Sequence, residues 1–363
     1  MSKAAELAAL IGSQTALSNR NPIINGAMQV AQRGTSGTSL SGYQAVDRFR
    51  TGCGSTNTSI SVTQGTDAPI GFKNSLKYEV TSAAGSVANS STFNYRVEGQ
   101  DMSHLEWGTA NAKTVTLSFY VKCSQAISSL GGSITNSDFS MTYPFDYGIS
   151  VANTWEKKEI TIEGATTGTW LDTNGIGLDI NFNLGSASAR LATKDVWANT
   201  IARGPTGAGD LVTTVNATWQ ITGVQLEVGE QATPFEHESF AETLQKCQRY
   251  YHKLNSANSS GAYYRYMNGR CGNSTSFTGT YHMPVTMRTT PSVGTTGTAS
   301  NYAINHAQSN TTVTNAPRLG SDGSGSDLVN FDANVASGLT SGQAAQLMSN
   351  NNQTSFISFD AEL

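Results

Sequence analysis

The chain has 363 residues, 13% of them charged, and carries a net charge of -4. That is about half the roughly 25% charged content of an ordinary soluble domain, so Ser, Thr, Asn, Gln and Gly must build the surface, a palette that leans towards β-structure. The acidic balance and the absence of any Lys/Arg cluster exclude nucleic-acid binding by counterion release, and no stretch reaches the roughly 18 apolar residues of a membrane span.

Residues 3–11 show a short helical pattern with Leu7, Leu10 and Ile11 on one face. About nine residues are too few for an isolated helix, so this face is expected to pack against its own domain, symmetry mates or a docking protein. The polar run to Arg20 reads as a linker. Met1 to Leu10 lacks a basic region followed by a long apolar run, which predicts synthesis in a cytosol without a secretion signal. From Asn21 the period becomes two. Val115, Leu117, Phe119 and Val121 alternate with polar residues, as do Ile160 and Ile162. Ile176, Leu178, Ile180, Phe182 and Leu184 alternate with Gly177, Asp179, Asn181 and Asn183. Such alternation predicts antiparallel strands with one face buried and one face wet. In Trp219–Val228 the apolar phase slips at Thr222-Gly223. Either a β-bulge keeps both sets on the core, or the strand changes sheets there. Ser239 and Glu242 form a capping box before a helix of about 12 residues, whose stripe is Phe240, Leu244, Cys247 and Tyr251. Beyond it the chain returns to β. The last alternation, Ile357, Phe359, Ala361 and Leu363, predicts a strand paired inside a sheet.

The fold class is therefore mainly β: a short N-terminal helix, a β-sandwich, a linking helix and a second β-region. The expected divisions are 1–20 (helix and linker), 21–236, 237–254 (linking helix) and 255–363.

Several segments together carry a resemblance: NRNPIINGAMQVAQRGTS, TVTLSFYVKCS, TWEKKEITIEGATTGTW, GVQLEVGEQATPFEHESFAETLQKCQRYY, MPVTMRTTPSV and ISFDAEL. They resemble a recurrent family of phage and prophage tail-fibre proteins, from about residue 19 to the end. Pro22 departs from the family's more usual aliphatic residue. The resemblance implies a carbohydrate-module-like jelly roll for 21–236, a second, smaller antiparallel β-sandwich for 255–363, a virion location, a homotrimer, and contact with a host-surface polysaccharide or protein receptor. Other virion proteins would dock on the N-terminal residues. Two alternatives stand beside a receptor-binding fibre: a structural virion component (capsid fibre, decoration or tail adaptor) and a glycan depolymerase.

No catalytic motif is present. His104, His237, His252, His282 and His306 are scattered, without HExxH or ligand spacing, and there is no G-x-S-x-G elbow. A depolymerase would need two carboxylates across a sugar bond. Asp138, Asp146, Asp172 and Asp179 are available, each reading equally as a surface or turn acid. Arg203–Asp210 lacks the Lys-Ser/Thr of a phosphate loop and reads as a long exposed loop. Asn25-Gly26 reads as a turn, with a structural calcium as the alternative; no catalytic residue, resident metal or cofactor is expected. Sugar binding relies on aromatic faces. The candidates are Trp107, Trp170 and Trp197, each either stacked on a sugar or buried in the fold, together with Tyr264 and Tyr266, which share a strand face near Tyr263 that reads equally as an intersubunit contact. Trp155 and Trp219 stand at strand starts and read as core.

Cys53, Cys123, Cys247 and Cys271 are widely spaced and read as free, mostly buried thiols. Thermal unfolding is therefore expected to give the same midpoint with and without a reductant; a drop of several degrees in reductant would reveal a disulfide.

Overall fold

The structure is a computed structural model and describes residues 20–54, 58–258, 263–320 and 323–363; the expected helix at 3–11, with Leu7, Leu10 and Ile11, lies outside them. The chain divides into two compact units, Met1–Thr243 with Leu363, and Leu244–Glu362.

The first unit is a jelly-roll sandwich of two antiparallel six-stranded sheets. In spatial order the first sheet holds β1 (Ser36–Gly37), β4 (Ser59–Gly65), β5 (Ser75–Ser82), β14 (Thr218–Val228), β7 (Val115–Cys123) and β10 (Glu156–Ile162). The second holds β2 (Ser41–Tyr43), β3 (Phe49–Cys53), β6 (Ser90–Glu98), β11 (Ile176–Ser186), β8 (Ile127–Thr135) and β9 (Thr142–Ile149). Between them the alternating apolar residues interlock. Phe119 and Trp219 from the first sheet meet Phe182 from the second, with ring centroids 5.1 and 5.5 Å apart. Offset and edge-on aromatic pairs of this kind add to the burial of their area.

The phase slip in β14 is a bulge. Thr222 pairs with Tyr120 but Gln225 pairs with Ser118, one residue more on β14 than on its partner. The extra residue keeps Trp219, Ile221, Val224 and Leu226 all in the core. Gly223 makes this possible. Its φ is +63°, and a Cβ there would lie 2.6 Å from a ring carbon of Phe72.

On β11 the expectation of one wet face is corrected. Asp179, Asn181 and Asn183 are 1%, 0% and 0% exposed, as deeply buried as the apolar residues between them. Residues 187–211 lie over this outer face through two short paired strands, β12 (Leu191–Ala192) and β13 (Gly204–Pro205). The expected exposed loop at 203–210 is therefore corrected at its start. Ala202, Gly204 and Pro205 are buried, Ser133 Oγ donates to the Ala202 carbonyl at 3.0 Å, and a Cβ on Gly204 would sit 3.0 Å from Asn183 Nδ2.

The capping box forms as expected: Ser239 Oγ donates to Glu242 at 2.7 Å, and the Glu242 amide donates back at 3.3 Å. The helix, α1 (Phe240–Gln248), is shorter than expected. Tyr251 leaves it to pair with Asp360 in a strand, and Phe240 is exposed. Within the helix Cys247 is buried as expected and Leu244 is half-buried, and Thr243 is the other buried position.

In the second unit a three-stranded sheet, β15 (Tyr251–Asn255), β24 (Phe356–Asp360) and β18 (Ser292–Thr295), faces a seven-stranded one. The larger sheet runs β20 (Ser309–Thr312), β19 (Tyr302–His306), β23 (Ala344–Ser349), β16 (Arg265–Cys271), β17 (Ser276–His282), β22 (Leu328–Asn334) and β21 (Arg318–Leu319). β24 is the middle strand of its sheet, with Ile357 and Phe359 fully buried, as the terminal alternation required. Among the described residues no two cysteines are joined in a disulfide; Cys53 is half-buried and Cys123, Cys247 and Cys271 are buried.

His252 and Tyr281 stack on Phe359, ring centroids 5.9 and 5.2 Å away, and His252 Nε2 bonds the Tyr281 hydroxyl at 2.8 Å. Burial pushes the His252 pKa down from 6.5 to about 4, so the folded ring is neutral. A depressed histidine stabilises fully above its unfolded pKa, because below it the unfolded chain takes up a proton that the folded one refuses. The second unit is expected to lose up to about 3 kcal/mol as pH falls from roughly 6.5 to roughly 4. Urea unfolding across that range should show the slope, and His252→Phe should flatten it; an unchanged slope in the variant would assign it to carboxylates.

Candidate functional site

The three candidate tryptophans come together. Trp107 follows β6, Trp170 lies between β10 and β11, and Trp197 lies between β12 and β13. Their ring centroids are 4.8 Å apart for Trp107–Trp170, 5.4 Å for Trp107–Trp197 and 5.5 Å for Trp170–Trp197, each pair edge to face. Tyr143 of β9 extends the group, 5.3 Å from Trp197. Each indole N–H donates to a main-chain carbonyl: Trp107 to Lys113 at 2.8 Å, Trp170 to Thr167 at 3.1 Å and Trp197 to Glu163 at 2.8 Å. Those bonds fix the rings and leave the aromatic faces as the variable part. Trp107 is 6% exposed, while Trp170 and Trp197 are half-buried.

Beside the cluster opens a cleft of about 270 Å³ lined by Trp107, Trp170, Leu171, Met102 and the polar side chains of Ser103, Glu106, Thr109 and Asp172. Glu106 has φ +55°, and its carboxylate pairs with Lys113 at 3.3 Å. The arrangement sets apolar ring surface among hydroxyls and carboxylates. It also places two carboxylates on one cleft. Of the four acids singled out from the sequence, only Asp172 is here. Asp179 is paired with Arg96 at 3.1 Å, Asp146 with Lys194 at 3.1 Å, and Asp138 accepts from Ser140 Oγ at 2.7 Å, a bond that holds its pKa below the usual carboxylate range.

The tyrosine pair divides. Tyr266 is 4% exposed, and its hydroxyl bonds Ser355 Oγ at 2.8 Å inside the second unit, so it is a core residue and no longer a candidate contact. Tyr264 is half-buried against it, 5.1 Å between centroids, and Tyr263 is exposed. Trp219 is core, whereas Trp155 is half-buried, with its indole N–H on Asp67 at 3.1 Å. Asn25 is a turn residue. Its side-chain oxygen accepts from the Gln29 and Val30 amides, and its nitrogen donates to the Val30 and Asp47 carbonyls, which leaves nothing for a cation. Among the described residues no group of three His, Cys, Asp or Glu is placed to hold a metal, and no helix is long and apolar enough to cross a membrane.

Two features were missed from the sequence. Phe72, Tyr120, Phe235 and His237 line a groove of about 220 Å³ on the outer face of the first sheet, with Phe72 5.1 Å from Phe235 and 5.4 Å from Tyr120. The glycine at the β14 phase slip is the one sequence signal of that groove, since Phe72 packs on it. The other is a set of arginines on the outer face of the second sheet: Arg50 and Arg96 from its strands, Arg190 and Arg203 from the segment laid over it.

No family model matches the chain, and no curated protein matches it. Solved structures do. It is similar to the enzymatically active domain of tailspike protein 4 from bacteriophage CBA120, at 14% identity over 58% of this chain and 22% of that one, TM-score 0.31. It is also similar to the CBM22-1 xylan-binding domain from Paenibacillus barcinonensis, at 12% identity over 56% and 99%, TM-score 0.28. A third is a family 11 carbohydrate-binding module of a Clostridium thermocellum cellulosomal cellulase, at 13% identity over 55% and 98%, TM-score 0.28. The chain thus spans about a fifth of that tailspike domain and nearly all of each module. At these TM-scores the likenesses assign no ligand and no activity to this chain.

If the tryptophan cluster is rigid support for the cleft, its members should differ in cost. Trp107→Ala is expected to destabilise the first unit by about 3–5 kcal/mol, and Trp170→Ala, half-buried, by clearly less. Chemical denaturation measures both, and equal losses would contradict the graded burial.

Proposed function

We propose that this chain is a non-enzymatic virion appendage of the tail-fibre kind, a homotrimer docked to other virion proteins through its N-terminal residues, that presents its β-domains to a glycan on the host cell surface. The observation that carries the glycan reading is the cleft beside Trp107 and Trp170. Ring surface there is fixed by main-chain hydrogen bonds and ringed by Ser103, Thr109, Glu106 and Asp172. A preorganised aromatic face loses little entropy on binding, and the flanking groups can take sugar hydroxyls. The resemblance to tail-fibre proteins supplies the virion setting.

One observation favours a second reading. Glu106 and Asp172 line the same cleft, as the two carboxylates of a glycan depolymerase would. Under that reading the purified protein releases reducing ends from isolated surface polysaccharide, and Glu106→Gln or Asp172→Asn abolishes the release.

The test is binding of the full-length protein to intact host cells, before and after enzymatic removal of surface polysaccharide. Saturable binding that disappears with the polysaccharide, and weakens about tenfold in Trp170→Ala, is expected. No binding by a folded oligomer would reject attachment and leave a structural appendage.

A further inference from the structure

The outer face of the second sheet is a grid of polar residues set by register. Arg50, Asn94, Asn181 and Ser133 pair in one row across β3, β6, β11 and β8. Arg96, Asp179 and Thr135 form the next, and Thr92 with Asn183 a third. Over this grid the segment 187–211 brings Arg190 and Arg203, both half-buried. Arg190 Nε donates to Asn89 Oδ1 at 3.1 Å, and Arg203 Nη1 donates to Asn181 Oδ1 at 3.1 Å. The Arg203 guanidinium also lies over the Phe139 ring, 4.6 Å from its centroid.

These two arginines are bound to neutral amides. Among the described residues neither pairs with a carboxylate, and the Asp179 carboxylate beneath them is held by Arg96 Nε at 3.1 Å. Burial lowers the Arg203 pKa; Asp179 opposes this, while Arg190, Arg96 and Arg50 reinforce it. Like charges are thus gathered on one face of a chain that is acidic overall. Holding them half-desolvated costs free energy that an anion would offset.

We infer that Arg190 and Arg203 form an anion-binding subsite on the outer face of the second sheet, one that takes the ring carboxylate of an acidic saccharide. A guanidinium offers two parallel N–H groups to a carboxylate, and the amide side chains around it suit the neighbouring hydroxyls. The inference rests on the glycan-binding reading and specifies its ligand class as uronate-type. The segment 187–211 joins the two places, since it carries Trp197 as well as both arginines.

The experiment titrates the full-length protein calorimetrically with hexagalacturonate and with its fully methyl-esterified form. The acid form is expected to bind at least about tenfold more tightly than the ester, and more weakly as salt rises. Arg203→Gln and Arg190→Gln are each expected to lose about tenfold for the acid form alone, with Arg203→Lys intermediate because it keeps the charge without the fork. Thermal unfolding checks that each variant folds, and Arg190→Gln carries the test if Arg203→Gln does not. Equal binding of both forms, no binding of the acid form, or wild-type affinity in both glutamine variants would overturn the inference. Polysaccharide-dependent cell binding that the glutamine variants leave intact would overturn the anion subsite and leave the attachment reading standing. Loss of cell binding in the wild-type protein would count against that reading itself.

Discussion

Asp179, Asn181 and Asn183 sit on β11, inside the second sheet, and all three are buried on the side away from the aromatic core. Burying that much hydrogen-bonding capacity is costly unless it is met. The first unit meets most of it with cross-strand amide and carboxylate bonds on the sheet and with Arg96 and Arg203, and leaves Asn183 Nδ2 unmet. The segment 187–211 is laid where it is by this need. Once there, it delivers Trp197 to the tryptophan cluster on one side and Arg190 and Arg203 to the polar grid on the other. The three-tryptophan cluster and the arginine face thus both draw on the segment that covers one strand's polar side.

The opposite side of β11 obeys a different rule. Leu178, Ile180, Phe182 and Leu184 interlock with Phe119 and Trp219, and β14 can offer its own apolar residues only because the bulge at Gly223 corrects their phase. The same glycine leaves room for Phe72, so a correction made for the core also shapes the groove on the outside of the first sheet. In the second unit a comparable economy appears in Phe359, which sits on the middle strand of its sheet and stacks on both His252 and Tyr281. A neutral buried histidine there ties the stability of that unit to pH.

The functional reading follows from the order in which these constraints act. The strands fix a rigid frame, the loops at its margin are pinned by bonds from indole N–H groups to carbonyls, and the proposed glycan contact falls to the ring faces, hydroxyls and half-exposed charges that remain. Binding residues on loops held by a β-scaffold need little reorganisation when the ligand arrives.

Strand periodicity, the capping box of Ser239 and Glu242, the phase slip at Thr222-Gly223 and the alternation of the terminal strand were legible in the sequence, because each depends on residues within a few positions of one another; that the slip is a bulge and not a change of sheets was settled by the pairing of β14 with β7. Two local readings failed for a tertiary reason. Tyr251 fits the helical stripe, but pairing with Asp360, more than a hundred residues away, takes it into a strand. Asp179, Asn181 and Asn183 read as a wet face because alternation cannot say whether another segment will cover it. For the same reason Arg203 looked like loop surface. The tryptophans were identifiable one by one as candidates, yet nothing local shows that Trp107, Trp170 and Trp197 touch, or that Tyr266 turns inward to Ser355 while Tyr264 stays at the edge. The sequence by itself determined which residues face apart along each strand. Which of those faces meets water, which meets another segment, and which three rings form one cluster were decided only by the tertiary structure, since burial belongs to the packing of distant segments and not to the chain that carries the side chain.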